Sequence, residues 1–143
     1  MAEIDGGLSR ILREFLPGPH WQRIETALTG LGIPDMNACH GGREVWIELK
    51  QTSGWKPAIR PEQGAWAWKR YHSGGHVFLA TRRRTDGGPR SAAADELWVH
   101  RGDQIIEVRK LGLREGPAPL LRLEGGPSRW NWDAVRQLWF PGT

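Results

Sequence analysis

The feature that most constrains the fold is the segment from Pro34 to Thr52, PDMNACHGGREVWIELKQT, in which two runs of strand-forming residues flank Gly41-Gly42. Adjacent glycines reach positive φ without a Cβ penalty, so the pair suits the tight turn of a β-hairpin. A turn at that place sets a register in which facing residues have numbers summing to about 83, and Asp35 then lies across from Glu48. In the second strand Val45, Ile47 and Leu49 alternate with Trp46, Glu48 and Lys50. The first set suits a core face, so the same alternation collects Trp46, Glu48 and Lys50 on the other. Two carboxylates and an ammonium therefore converge on one patch. Glu-x-Lys alone is also a common surface pair on any half-exposed strand.

The flanking residues extend this hairpin into a domain. Leu8 to Leu16 carries apolar residues at helical spacing and is ended by Pro17-Gly18-Pro19. The stretch HWQRIETA is a weaker strand candidate, and TGLGIPD is a glycine-rich loop. Pro61 suits the first position of a helix over RPEQGAWAWKRYH, because proline loses no needed hydrogen bond there and Glu62 favours that end of the dipole. His76 to Arg82 reads as a buried strand, and residues 83–95 read as a mobile basic loop. ELWVHRGDQIIEV suggests two further strands or an edge hairpin around RGDQ. SRWNWDAVRQLWF suggests a last helix with Trp132, Val135, Leu138 and Trp139 on one side. The order implies an α/β fold, a small mixed sheet flanked by helices. It forms a single domain over 1–143, with C-terminal strands and a Trp-rich helix over 96–143.

A chain of 143 residues is the length of one ordinary domain. No apolar run reaches the roughly 18 residues of a membrane span, and MAEIDGGLSR lacks the layout of a secretion signal, so a soluble cytoplasmic protein with no membrane partner is expected. The lone Cys39 and five dispersed histidines show no zinc spacing, and His40 and His72 read as surface residues. Net charge is +4, but between Lys50 and Arg84 eight Lys or Arg face a single acid, Glu62. Such a block suits a polyanion. Lys56, Arg60, Lys69, Arg70, Arg82, Arg83 and Arg84 are the candidate DNA contacts. Of the nine tryptophans, Trp66, Trp68, Trp130, Trp132 and Trp139 read as core or interface residues, whereas Trp46 borders the carboxylate patch.

Oxygen ligands at that patch suit Mg²⁺, which takes one or two carboxylates and completes its shell with water and substrate phosphate. At GIPDMN (Gly32 to Asn37), WIELK (Trp46 to Lys50), RPEQ (Arg60 to Gln63) and GGHVFLATR (Gly74 to Arg82) the chain resembles the PD-(D/E)xK nuclease superfamily. It is most similar there to the small VRR-NUC and Holliday-junction-resolvase-like nucleases, including phage-type stand-alone versions. The resemblance covers about residues 8–82 and implies a restriction-endonuclease-like core. It implies a Mg²⁺-dependent endonuclease, with Mn²⁺ able to substitute, that hydrolyses DNA phosphodiester bonds and selects branched substrates such as a Holliday junction or flap. Asp35, Glu48 and the Leu49 backbone carbonyl would then be metal ligands, Lys50 the catalytic lysine and Gln63 an auxiliary polar residue. An upstream carboxylate is also implied, with Glu14 and Glu25 as rivals, and Thr26 and Thr29 lie where a hydroxyl near the scissile phosphate can occur. By analogy the chain would be a homodimer, the Trp-rich tail supplying apolar contact. Two alternatives stand beside this: a DNA-binding module that keeps the nuclease fold without catalysis, and a structural protein with a fortuitous motif.

Overall fold

The computed structural model describes residues 5–25 and 30–143. Six strands form one sheet in chain order: β1 (His20–Arg23), β2 (Met36–His40), β3 (Arg43–Thr52), β4 (Val77–Thr85), β5 (Ala94–Arg101) and β6 (Leu121–Leu123). Four helices among the described residues flank it: α1 (Leu8–Phe15), α2 (Pro61–His72), α3 (Ile105–Glu115) and α4 (Trp132–Trp139). Neighbouring strands are antiparallel except β3 and β4, which run parallel and are joined through α2. The fold is α/β, a mixed sheet between helices.

The hairpin has the expected register. Gly41 and Gly42 turn with φ of 59° and 78°, and Met36 faces Ile47 while His40 faces Arg43, pairs that each sum to 83. Alternation along β3 then sends residues to two separate cores. Val45, Ile47 and Leu49 pack with Leu8, Ile11 and Leu12 of α1 and with Val135 and Trp139 of α4. On the other face Leu79, Trp98 and Ile59 pack with Ala67 of α2 and with Ile105 and Val108 of α3. No helix among the described residues is long and apolar enough to cross a membrane.

Several expectations change. The strand through Arg82 continues to Thr85 and β5 begins at Ala94, so the basic loop expected over 83–95 is reduced to residues 86–93. Acidic partners across the strand pair explain the extension, since Arg82 faces Leu97 beside Asp95, and Arg83 faces Glu96. RGDQ is not a hairpin. It is a single 3₁₀ turn, Gly102–Gln104, leading into α3, and the Gln104 side chain accepts from the Arg101 N–H at 2.8 Å. The residues after 96 add strands to the same sheet and α4 fills the core beneath β3, so no separate core ends at residue 82. The Trp-rich tail expected to reach a dimer partner is turned inward instead, with Trp130, Trp139 and Phe140 all buried. Trp68 alone of the five tryptophans expected to be packed is exposed, leaning on the His72 ring.

Candidate active site

Asp35 sits one residue before β2, where the loop from Gly30 enters the sheet. That loop passes close to the start of α2. Gly32 has φ of 94°, and a Cβ built there would collide with the Glu62 carbonyl, so only glycine lets the two segments meet. Asp35 Oδ2 accepts the Leu49 N–H at 2.9 Å, which fixes the carboxylate against β3. Continuing the register places Pro34 opposite Leu49. Proline has no N–H to give, so it cannot take the Leu49 carbonyl, the backbone oxygen implied as a metal ligand.

Glu48 lies on the face of β3 covered by α2 and is 2% exposed. Its Oε1 accepts from Gln63 Nε2 at 2.9 Å and has Lys50 Nζ at 3.6 Å. Its Oε2 is buried and has no hydrogen-bond partner. Gln63 can point its amide only one way, because its Oε1 already accepts the Arg60 N–H at 2.8 Å as the third residue of the helix. One side chain thus caps α2 and orients the carboxylate. Lys50 is largely covered, with 17% of its side chain exposed, so the entropy cost of ordering it beside Glu48 is already met in folding.

The electrostatics are unfavourable as they stand. Burial pushes the Glu48 carboxyl up to about 9, the neighbouring Asp35 carboxylate adds to the rise by its charge and by accepting a hydrogen bond from the protonated form, and Lys50 offsets only part of it. Glu48 Oε2 thus lacks a donor but has a second acid beside it. Two acids held together with an orphaned buried oxygen fit a hard divalent cation, which would relieve both the repulsion and the missing contact. Asp35 and Glu48 are therefore fitted to hold such an ion, with the Leu49 carbonyl at hand.

The structure brings Asp35, Glu48, Lys50 and Gln63 together as expected and leaves the other suggested acids out. Glu14 is exposed on α1, which packs on the opposite face of the sheet. Glu25 is exposed just beyond β1, and among the described residues no group of three or more His, Cys, Asp or Glu forms that could hold a metal ion. Thr26 and Thr29 lie outside the described residues. Trp46 lies on the face of β3 that carries Glu48, where it packs on the α2-side core with its ring 5.4 Å from that of Trp66.

Most of the expected basic contacts separate into engaged and available groups. Arg82 is bound to Asp95 by two bonds of 2.9 and 2.7 Å and to the Gly6 carbonyl at 2.6 Å, so it belongs to the fold. Arg83 bonds Glu96 at 3.0 Å and lies 3.6 Å from the Trp55 ring, and it too is structural. Lys56, Lys69 and Arg70 remain on the surface, exposed Arg84 has its Nε 4.0 Å from Asp95, and Arg60 pairs with Glu62 at 3.1 Å. The first two engagements have no local signal, because their acidic partners come from β5. The roles of Gly32 and Pro34 depend on the approach of α2 and β3, and the Pro-Asp step is their one local signal. No family model matches this sequence, and no curated protein matches it either.

Proposed function

We propose that this protein is a Mg²⁺-dependent endonuclease that hydrolyses DNA phosphodiester bonds and selects branched or flapped structures. The observation that carries the proposal is the buried, unpartnered Oε2 of Glu48 beside Asp35, with Lys50 and Gln63 on the other oxygen. When bound, the divalent ion would supply Lewis-acid activation of water and of the scissile phosphate. The chain's own residues do the rest. Asp35 and Glu48 hold the ion, and Gln63 keeps Glu48 from turning away. Lys50 is placed to orient the attacking water and to offset negative charge gathering on the phosphate. Burial beneath α2 keeps the carboxylate poorly solvated, which strengthens each of these interactions.

The test is cleavage of a panel of labelled DNA substrates, four-way junction, flap, nicked duplex and linear duplex, in Mg²⁺ and in EDTA. Cleavage that needs Mg²⁺ and disappears in Asp35→Asn and Glu48→Gln supports the proposal. DNA binding without metal and without turnover would instead mark a non-catalytic module on this fold. No salt-sensitive DNA affinity at all would leave the motif fortuitous.

A further inference from the structure

At the far end of β3 from Lys50, where the β2–β3 turn meets the turn from α2 into β4, lies a cavity of about 450 Å³ lined by Arg43, Glu44, Trp46, Arg70 and His76. Arg43 Nε is buried there without a hydrogen-bond partner, a donor with no acceptor. The Arg70 guanidinium lies over two rings, 4.6 Å from Trp66 and 5.6 Å from Trp46, which sets its plane while its N–H edge stays available. Glu44 keeps its negative charge at the rim, where its Oε1 accepts from Asn37 Nδ2 at 2.8 Å, and the two guanidiniums outnumber it. Burial and the nearby Arg43 hold the His76 imidazole below its usual range, so the two guanidiniums carry the positive charge of the cavity.

Of the residues lining the cavity, Glu44 and Trp46 lie on the face of β3 that carries Glu48, whereas Arg43 alternates with Val45 and Ile47 onto the other face and reaches the cavity from the end of the strand. α2 covers β3 and β4 on the Glu48 side, but the same face of β1 and β2 carries exposed Gln22 and Cys39 and half-buried Asn37. Arg43 and Glu48, which mark the two sites, are about 16 Å apart along the strand. A span of that length corresponds to a few nucleotides.

We propose that the cavity is a phosphate-binding site in which Arg43 and Arg70 grip a phosphate of the same nucleic-acid strand that is cut at Asp35 and Glu48. The identity of the strand rests on the endonuclease proposal. Phosphate binding itself does not. Two planar guanidiniums at one opening match a tetrahedral anion bidentately, and the volume leaves room for the attached sugar against Trp46.

The test is calorimetric titration of the metal-free protein with inorganic phosphate, followed by oligonucleotides bearing a 5′-phosphate, a 3′-phosphate or neither. The wild type should bind inorganic phosphate, Arg70→Gln and Arg43→Gln should each weaken it about tenfold or more, and Arg43→Lys should recover part of the loss. Asp35→Asn should leave it unchanged. Tighter binding of one phosphorylated end, lost in Arg70→Gln, assigns a terminal phosphate. Equal binding of all three oligonucleotides, weakened alike by Arg70→Gln, assigns an internal one. Phosphate binding without DNA cleavage would overturn the endonuclease proposal and keep this site. No phosphate binding by the wild type, with oligonucleotide affinity indifferent to Arg70→Gln, would overturn the site while leaving cleavage to be judged separately.

Discussion

Two glutamates are buried on the same side of the sheet, Glu48 at 2% and Glu96 at 4% exposure, and the protein treats them in opposite ways. Glu96 receives Arg83 Nη1 at 3.0 Å, Arg122 Nη2 at 2.8 Å and Trp98 Nε1 at 3.1 Å. Burial alone would raise its pKa, but the bonds from Arg122, Trp98 and Arg83 outweigh burial and hold the carboxyl below its usual range. Glu48 receives one amide and a lysine at 3.6 Å, faces a second acid, and is pushed up to about 9. A carboxylate that serves the fold has its charge answered by the fold. One left incomplete is disposed to take its last partner from outside.

The largest expected difference between the two is chemical. Glu48→Gln and Lys50→Ala should each slow Mg²⁺-dependent cleavage by about 10²- to 10³-fold under single-turnover conditions. In EDTA, Glu48→Gln should unfold in urea at a midpoint no lower than the wild type, because it removes an unsatisfied acid. Glu96→Gln should do the reverse. It should cost about 3 kcal/mol in urea unfolding, since it leaves Arg83 and Arg122 with an uncharged partner, while cleavage survives below the unfolding transition.

A smaller effect belongs to the frame of the site. Gly32→Ala should lose about 2 kcal/mol of stability, and it should depress cleavage by more than this stability loss explains, because the clash with Glu62 shifts the loop that carries Asp35. The last difference is in pH dependence, with a slope of at most about 1.4 kcal/mol per pH unit for each group. Glu48 titrates higher in the folded protein than its ordinary 4.5, so in metal-free buffer its contribution is fully present below pH 4.5 and is lost as pH rises through about 9. Glu96 titrates lower than 4.5, so its contribution is present above pH 4.5 and is lost as pH falls through the folded value. Stability against pH should therefore flatten on the alkaline side in Glu48→Gln and on the acid side in Glu96→Gln. Slopes changing on the same side in both variants would erase the contrast.

The contrast also marks what could be read from residues alone. Gly41-Gly42 fixed a two-residue turn, the turn fixed the register, and the register put Asp35 across from Glu48. All of that is local. The burial of Glu48 depends on α2 folding back over β3, and the tie to Gln63 spans 15 residues. Arg82 to Arg84 look like a loop of free cations until β5 brings Asp95 and Glu96 beside them. The segments RPEQ and RGDQ use the same local device, a glutamine accepting the N–H of the arginine three residues earlier at 2.8 Å. Only tertiary placement distinguishes them, since the Gln63 amide reaches Glu48 and that of Gln104 reaches the Ala118 carbonyl.

The most direct measurement is calorimetric titration of Mn²⁺ into the wild type, Asp35→Asn, Glu48→Gln and Glu96→Gln at neutral pH. Binding by the wild type and by Glu96→Gln, lost in Asp35→Asn and in Glu48→Gln, is the predicted result. No binding by the wild type, or equal binding by Glu48→Gln, would contradict a cation site at Asp35 and Glu48.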